Sequence, residues 1–479
     1  MPWRPLNREQ AWLLPPSVEE LVADDHPARM VAAFVDQLSD EEWSELGVEL
    51  EGQRLGSPAY HPRALLSVWL YGFMSGLRSS RSLERACREQ LPYLYLTAGQ
   101  RPDHNTLWRF YERHRTRMRR LLRLTVETAV RLELVDWALQ AVDGTKIAGA
   151  AANRRTLSDQ QLARLQERTE AAIAELESQQ AGEPEGPPRL GRALRDRQRL
   201  QQQVEQARAQ IERTGQKWVN LSDPEARLMR GAQGRSLTGY NAQAMAARLK
   251  PEREDGAGGT LLLAAEVTQE PGDAAQLLPM VEAADALSQA RLTVADAGYF
   301  ASGAVERCQQ LGVSVAVPEA KPDEDHPYHW RRFRYEPERD RYRCPQGQVL
   351  ERRQRRLNRR TPAKLYQAEA EACRGCPAFG VCTSARSGRT ITISDAAEAL
   401  ERHRVWMRSA AAREALRRRP GLIEPVFGQI KERLAGRRFL LRGLEAVAAE
   451  WSLLAVAFNL KALAKYRARA LTRAAPAAP

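Results

Sequence analysis

Cysteine is scarce in this sequence, with six in 479 residues. That is too few for the disulfide framework of small secreted domains. No positively charged, apolar leader opens the chain, so nothing points to secretion. Long apolar runs are also missing. The most apolar late stretch, Ala446 to Leu463, is interrupted by Glu450, Ser452, Asn459 and Lys461, and reads as a buried helix with no membrane span. No glycine-rich phosphate loop occurs, so ATP is not implied. What remains is a chain long enough for two or three domains. The expectation is a soluble, cytoplasmic protein.

Positive charge is what the chain has in excess. Its net charge is +13 with a pI near 9.7, which points to a polyanionic partner, usually nucleic acid. The charge is unevenly spread. Residues 1–60 hold twelve acids and four bases, whereas 101–131 hold nine bases and three acids. Between Glu401 and Arg442 there are twelve Arg/Lys against four Asp/Glu. Such segregation argues for segments with distinct partners.

Within the last of these segments lies Glu424-Pro425-Val426-Phe427-Gly428-Gln429-Ile430-Lys431. Val426, Phe427, Ile430 and Leu434 are at helical spacing. Proline suits a first helical position, so Glu424 is expected at or just before a helix start. Lys431 follows seven residues on, just under two turns of ~3.6 residues, and shares a face with Glu424. The pattern puts a metal-capable acid and a phosphate-capable cation on one face. The ordinary alternative is a solvated ion-pairing face.

Residues 60–135 read as wholly helical. An apolar stripe runs through Ala64 to Tyr71, caps are available at Ser79 to Ser82, and a turn and cap cluster spans Pro102 to Thr106. Arginines 109, 113, 115 and 117 follow, so the pattern suggests a helix-turn-helix or a plain bundle with a charged exterior. Leu139 to Ile147 is an apolar strand with Asp143 at its far end. Thr156 to Gly215 is helical, with Leu200, Val204, Ala207 and Ile211 as a seam, broken at 181–191. This predicts a helical hairpin. Strands are expected at Tyr240–Ala246, Thr260–Val267, around Arg291–Ala295 ending in Asp296, and at Val313–Val317, with helices at Gln276–Leu287 and Ala304–Leu311. The fold class is therefore α/β with a mixed sheet.

The expected organisation is an N-terminal helical DNA-binding domain (1–135) and the first part of a catalytic core (136–318, with the hairpin at 156–215). An Arg-rich, Cys-bearing insertion (319–400) and a helical second part of the core (401–470) follow, then a disordered tail (471–479).

A carboxylate at the end of a buried strand is costly unless cations or hydrogen bonds compensate, and ligand sites of open α/β sheets gather there. Asp143 and Asp296 with a helix-borne Glu424 could hold Mg²⁺. Two such ions ~4 Å apart activate a water or 3′-hydroxyl and stabilise the leaving oxygen in phosphodiester displacement. Each aspartate alone could equally cap a turn. Cys344, Cys373, Cys376 and Cys382 share the Arg-rich insertion, leaving Cys87 and Cys308 as core thiols. Four thiolates suit a structural Zn²⁺; four unrelated thiols or an iron–sulfur cluster are the alternatives.

The chain resembles the DDE-type transposases of bacterial insertion sequences, most closely insertion sequence family 1182. The resemblance covers nearly its whole length. It rests on Tyr60-His61-Pro62-Arg63, Gly76-Leu77-Arg78-Ser79-Ser80-Arg81, Pro102-Asp103-His104, Asp143-Gly144-Thr145-Lys146, Asn220 to Ala226, Gly239 to Gln243, Ala295-Asp296-Ala297-Gly298-Tyr299, the Glu424 to Lys431 segment, Arg442-Gly443 and Asn459-Leu460. It implies a ribonuclease-H-like mixed-sheet core, with Asp143, Asp296 and Glu424 as ligands of two Mg²⁺ (Mn²⁺ can substitute), and Lys431 on DNA near the cut. Related proteins often carry a Tyr and an Arg at fixed steps before the glutamate, the Arg four residues ahead. Here that position is Pro420, with Arg419 displaced by one, and no tyrosine lies between Arg402 and Glu424.

The candidate DNA contacts are Arg78, Arg81, His104, Asn105 and Arg109 in the N-terminal region and Arg419, Arg437 and Arg438 near the glutamate. The implied partner is double-stranded DNA, both terminal inverted repeats and target, bound by a homodimer. Function stays open between an active transposase that cleaves and transfers strands, a metal-dependent nuclease without strand transfer, and a decayed or repurposed non-enzymatic DNA-binding descendant.

Overall fold

The computed structural model of the chain describes residues 17–50, 59–182, 188–231, 234–251, 258–319, 326–353, 363–394 and 396–474. The N-terminal region is helical where the sequence predicts it, and its caps are the predicted ones. Helix Ser80–Glu89 is capped by Ser79. Asp103 caps His104–His114 by accepting from the N–H groups of Asn105 and Thr106. Helix Pro62–Ser75 begins at His61 and ends on Gly76, whose φ of 78° is the left-handed conformation glycine adopts without strain. These helices share one core. Trp69 stacks on Tyr111 with centroids 4.2 Å apart, and its indole N–H donates to Leu107 O at 3.0 Å.

The chain then enters a mixed sheet. Strand Val135–Ala148 pairs antiparallel with Ser236–Leu249, which pairs antiparallel with Thr260–Thr268 and with the short edge Arg227–Arg230. On its other side Val135–Ala148 pairs parallel with Leu292–Val294, and that strand pairs parallel with Ser314–Ala316. All the predicted strands exist. The first is longer than predicted: Asp143 lies inside it, opposite Ala244, and pairing continues to Ala148 opposite Gly239. The long neighbouring strand carries the first one past the apolar run, so Asp143 is an interior residue and not a strand end.

The helical hairpin consists of Asp159–Gly182 and Pro188–Thr214. Leu162, Val204 and Ala207 are buried along its seam, flanked by Leu165, Leu200 and Ile211. A two-stranded ribbon, Thr156–Ser158 with Trp218–Asn220, closes its base.

The Arg-rich insertion contains a feature the sequence reading missed. Its strands Arg334–Glu336, Arg341–Arg343, Val349–Arg353, Ala363–Ala368 and Thr390–Ser394 form an antiparallel meander. The strands are full of charge, so apolar alternation is faint. Ion pairs supply the cross-strand partners instead: Glu336 takes Arg341 at 2.6 Å and Arg343 at 2.9 Å, and Asp340 takes Arg352 at 2.8 Å.

Two long helices complete the core. Leu444–Ala474 packs against strand Thr260–Thr268 and helices Pro62–Ser75 and Arg120–Arg131. By length and composition it could cross a membrane, yet 89 % of its apolar window is buried inside the protein. The polar residues that interrupt it have partners. Asn459 donates to Thr125 Oγ1 and Leu262 O and accepts from Leu262 N–H. Glu450 takes Arg78. The helix runs past Leu471, where the tail was expected to begin, and 475–479 lie outside the described residues.

The other helix, Ala410–Arg433, is capped by Ser409 and contains both Pro420 and Pro425. Glu424 is therefore deep in a helix and not at its start. Each internal proline removes a hydrogen bond. The carbonyl left over by Pro425 is that of Gly421, and Arg248 Nη2 donates to it at 3.4 Å. Burial of Leu422, Ile423, Val426, Phe427 and Ile430 holds the helix together across the prolines.

Candidate active site

Asp143 projects from the middle of the long strand, and Asp296 follows the adjacent parallel strand Leu292–Val294. Their local geometry is similar. Asp143 Oδ1 accepts from Gly144 N–H at 2.8 Å, and Asp296 Oδ1 accepts from Gly298 N–H at 2.8 Å as the cap of a short 3₁₀ turn. Each thus keeps its second oxygen for another partner. That partner is one guanidinium: Arg419 Nη2 lies 2.9 Å from Asp143 Oδ2 and 3.5 Å from Asp296 Oδ2. Arg419 is only 12 % exposed and Asp143 18 %. Burial pushes the Asp143 carboxyl above its usual range, with Asp296 and Asp273 adding to the rise while Arg419 and the Gly144 N–H oppose it.

The helix that supplies Arg419 also supplies Glu424 and Lys431, and it packs against strand Val135–Ala148. Glu424 is exposed, with no hydrogen bond or ion pair among the described residues. Lys431 Nζ reaches Thr145 Oγ1 at 2.5 Å. Thr145 is two residues beyond Asp143 and so on the same face of the strand. Burial lowers the Lys431 pKa, and Arg437 lowers it further. Lys431 therefore meets the strand that carries the first aspartate, two residues beyond it.

A fourth acid, which the sequence reading missed, sits behind this group. Asp273 accepts from Asn241 Nδ2 at 2.6 Å and Gln243 Nε2 at 2.9 Å, and pairs with Lys146 Nζ at 3.1 Å. Gln243 in turn accepts from the buried Tyr299 hydroxyl. Burial raises the Tyr299 pKa strongly, and Asp273, Asp143 and Asp296 raise it further, so its hydroxyl stays a donor. Asn241 and Gln243 alternate on an otherwise apolar strand, and that polar alternation was the available signal.

The candidate DNA contacts divide. Arg81, Asn105, Arg109, Arg437 and Arg438 are exposed, although Arg437 also pairs with Glu432. His104 Nδ1 is 2.7 Å from Glu84 Oε2, which ties helix His104–His114 to helix Ser80–Glu89. Arg419, expected among these contacts, is turned instead onto Asp143 and Asp296. Arg78 does not fit the expectation either. It is 5 % exposed, pairs with Glu450 at 2.7 Å and donates to the carbonyls of Ala435 and Arg438. Its charge is committed inside the protein, because Glu450, 2 % exposed, needs a cation there.

Among the described residues, no three acid, thiol or imidazole groups stand at metal-ligand spacing. The Asp143–Asp296 pair is nonetheless suited to a cation. Both carboxylates converge on a positive charge, and each has one oxygen free of backbone bonds.

Residues 343–464 match a family model described as a transposase DDE domain, and residues 16–113 match one described as a transposase domain (DUF772). No curated protein matches the chain. The first match contains Glu424 and Lys431, while Asp143 and Asp296 lie between the two matched stretches. The matches support a DDE-type transposase, an enzyme class whose partner is DNA.

Proposed function

We propose that this chain is a DDE-type transposase, similar to those of insertion sequence family 1182, that cleaves DNA at element ends and transfers the strands. One observation carries the reading. Two aspartates from distant parts of the chain converge on a guanidinium from the same helix that holds Glu424 and Lys431. The strand order, three antiparallel strands followed by two parallel ones, supports a ribonuclease-H-like core around them.

Asp143, Asp296 and Glu424 would hold Mg²⁺, with Mn²⁺ able to substitute. Bound there, two divalent ions supply an activated water or 3′-hydroxyl and a stabilised leaving oxygen. The chain's own residues do the rest. Arg419 offsets part of the charge of the aspartate pair, and its release from Oδ2 of both acids makes those oxygens available. Lys431, beside Thr145, presents a positive charge to the phosphate being displaced. The Asp273–Gln243–Tyr299 network fixes the strand behind Asp143. Pro420 stands where relatives carry an arginine, but Arg419 brings a guanidinium to the aspartates, so the shift by one residue has not removed that charge. Exposed arginines of the N-terminal helices would track the duplex as a homodimer assembles on the terminal repeats.

The test uses supercoiled plasmid carrying the DNA that flanks the gene. Asp143→Ala, Asp296→Ala and Glu424→Ala are each expected to abolish Mg²⁺-dependent cleavage while DNA affinity stays within about threefold, because affinity comes mainly from Arg and Lys on phosphates. Full cleavage by any one variant would remove that residue from the site. Wild-type binding without cleavage would favour a decayed DNA-binding descendant.

A further inference from the structure

The insertion that carries the chain from the Asp296 strand to the Glu424 helix has a core too small for its size. Its buried members are Phe333, Leu350, Tyr366, Ala368, Cys373 and Ile391, with Cys344 and Cys382 packed against them. Small units of this kind generally need a staple.

Four thiols converge beside that core. Cys344 lies in the turn after strand Arg341–Arg343, Cys373 in the short helix Ala370–Arg374, and Cys376 and Cys382 in the turns beyond it. All four line one space of about 20 Å³. Backbone amides point at two of the sulfurs. Gln348 N–H donates to Cys344 Sγ at 3.3 Å, in a turn closed by Gly347 N–H on Cys344 O at 2.8 Å. Gly347 has φ 81°, which a side chain would strain. On the other side Arg389 N–H donates to Cys373 Sγ at 3.3 Å. Successive turns bring Cys376 and Cys382 round: Cys376 N–H donates to Cys373 O at 3.2 Å and Cys382 N–H to Ala378 O at 2.8 Å. The remaining cysteines, Cys87 and Cys308, are buried in the main cores, where burial pushes the Cys87 thiol up to about 12 and Cys308 up to about 11. They take no part.

We propose that Cys344, Cys373, Cys376 and Cys382 form a structural zinc site that staples the five-stranded insertion. The four thiols line one space, although among the described residues they do not form a closed set of ligands. Four Zn–S bonds replace four S–H bonds, and the released protons go to solvent. No redox partner is required. Soft thiolates select Zn²⁺ over the Mg²⁺ of the carboxylate site, which makes the two metals separable.

The full-length protein, purified without added metal, should contain about one zinc per chain by elemental analysis. Cobalt substitution should give the d–d bands of a tetrahedral tetrathiolate. Cys376→Ser and Cys344→Ser should each lower zinc content at least about fivefold. If a variant fails to fold, wild-type protein stripped by a strong chelator should gain protease cleavage confined to 326–394, reversed by zinc and not by Mg²⁺. Three results would overturn the proposal: less than about a tenth of a zinc per chain with no gain on reconstitution, iron with labile sulfide in its place, or thiol counting that finds these cysteines oxidised in pairs.

Discussion

The ε-amino group of Lys431 stands 2.5 Å from Thr145 Oγ1 and is half-buried beside the aspartate strand. A lysine that serves as one phosphate contact among many removes only about one unit from the salt slope of binding. A charge aimed at a transition state can instead be worth ~10²-fold in rate. Lys431→Ala is therefore expected to slow single-turnover cleavage by about two orders of magnitude at saturating protein, with the salt slope changed by no more than about one. An unchanged rate with weaker binding would make Lys431 an ordinary DNA-track residue. The Asp273 cluster was not legible, because Lys146, Asn241, Gln243 and Tyr299 gain meaning only when two strands and a loop meet.

Among the elements, the glutamate helix departs most from its sequence pattern. The Glu424-Pro425 pair reads as a helix start, and propensity alone would place it there. The chain instead uses Ser409 as the cap and runs the helix through both prolines, because the apolar face beyond each proline is buried. An interior proline costs roughly 3 kcal/mol relative to alanine. Part of that is offset by the smaller entropy of the unfolded chain, and part by Arg248 on the freed Gly421 carbonyl. Pro425→Ala should thus stabilise the protein by about 1–2 kcal/mol, seen as a higher midpoint in thermal or urea unfolding. A lower midpoint would mean that the packing around Pro425 and the Arg248 contact require the proline. The hairpin, by contrast, was legible because its seam repeats within a single local stretch, and the insertion's meander was hidden by strands whose partners are charges.

At the scale of the whole molecule, the Arg78–Glu450 pair joins the N-terminal helices to the C-terminal core helix. Burial raises the Glu450 pKa and lowers that of Arg78, and each partner's charge opposes the other's shift. Glu450 also accepts from the N–H groups of Leu440 and Leu441. Removing the cation leaves a desolvated carboxylate, a loss of about 3–5 kcal/mol. Arg78→Ala should lower the unfolding midpoint strongly. The double variant Arg78→Met, Glu450→Gln should recover much of that loss. The salt slope of DNA binding should not move with Arg78→Ala at temperatures where the variant is folded; a drop of about one unit would return Arg78 to the DNA surface.

The sequence by itself determined the local features: the caps at Ser79 and Asp103, the alternating strands and helices, and the hairpin seam. Each depends on residues within a turn or a strand of one another, where propensity and periodicity act directly. Only the tertiary structure decided that Arg78 turns inward, that Arg419 lies between Asp143 and Asp296, that Asp273 is held behind them, and that four cysteines from separate turns share one space. Burial and charge pairing set those outcomes, and both depend on which distant segments of the chain come together when the core closes.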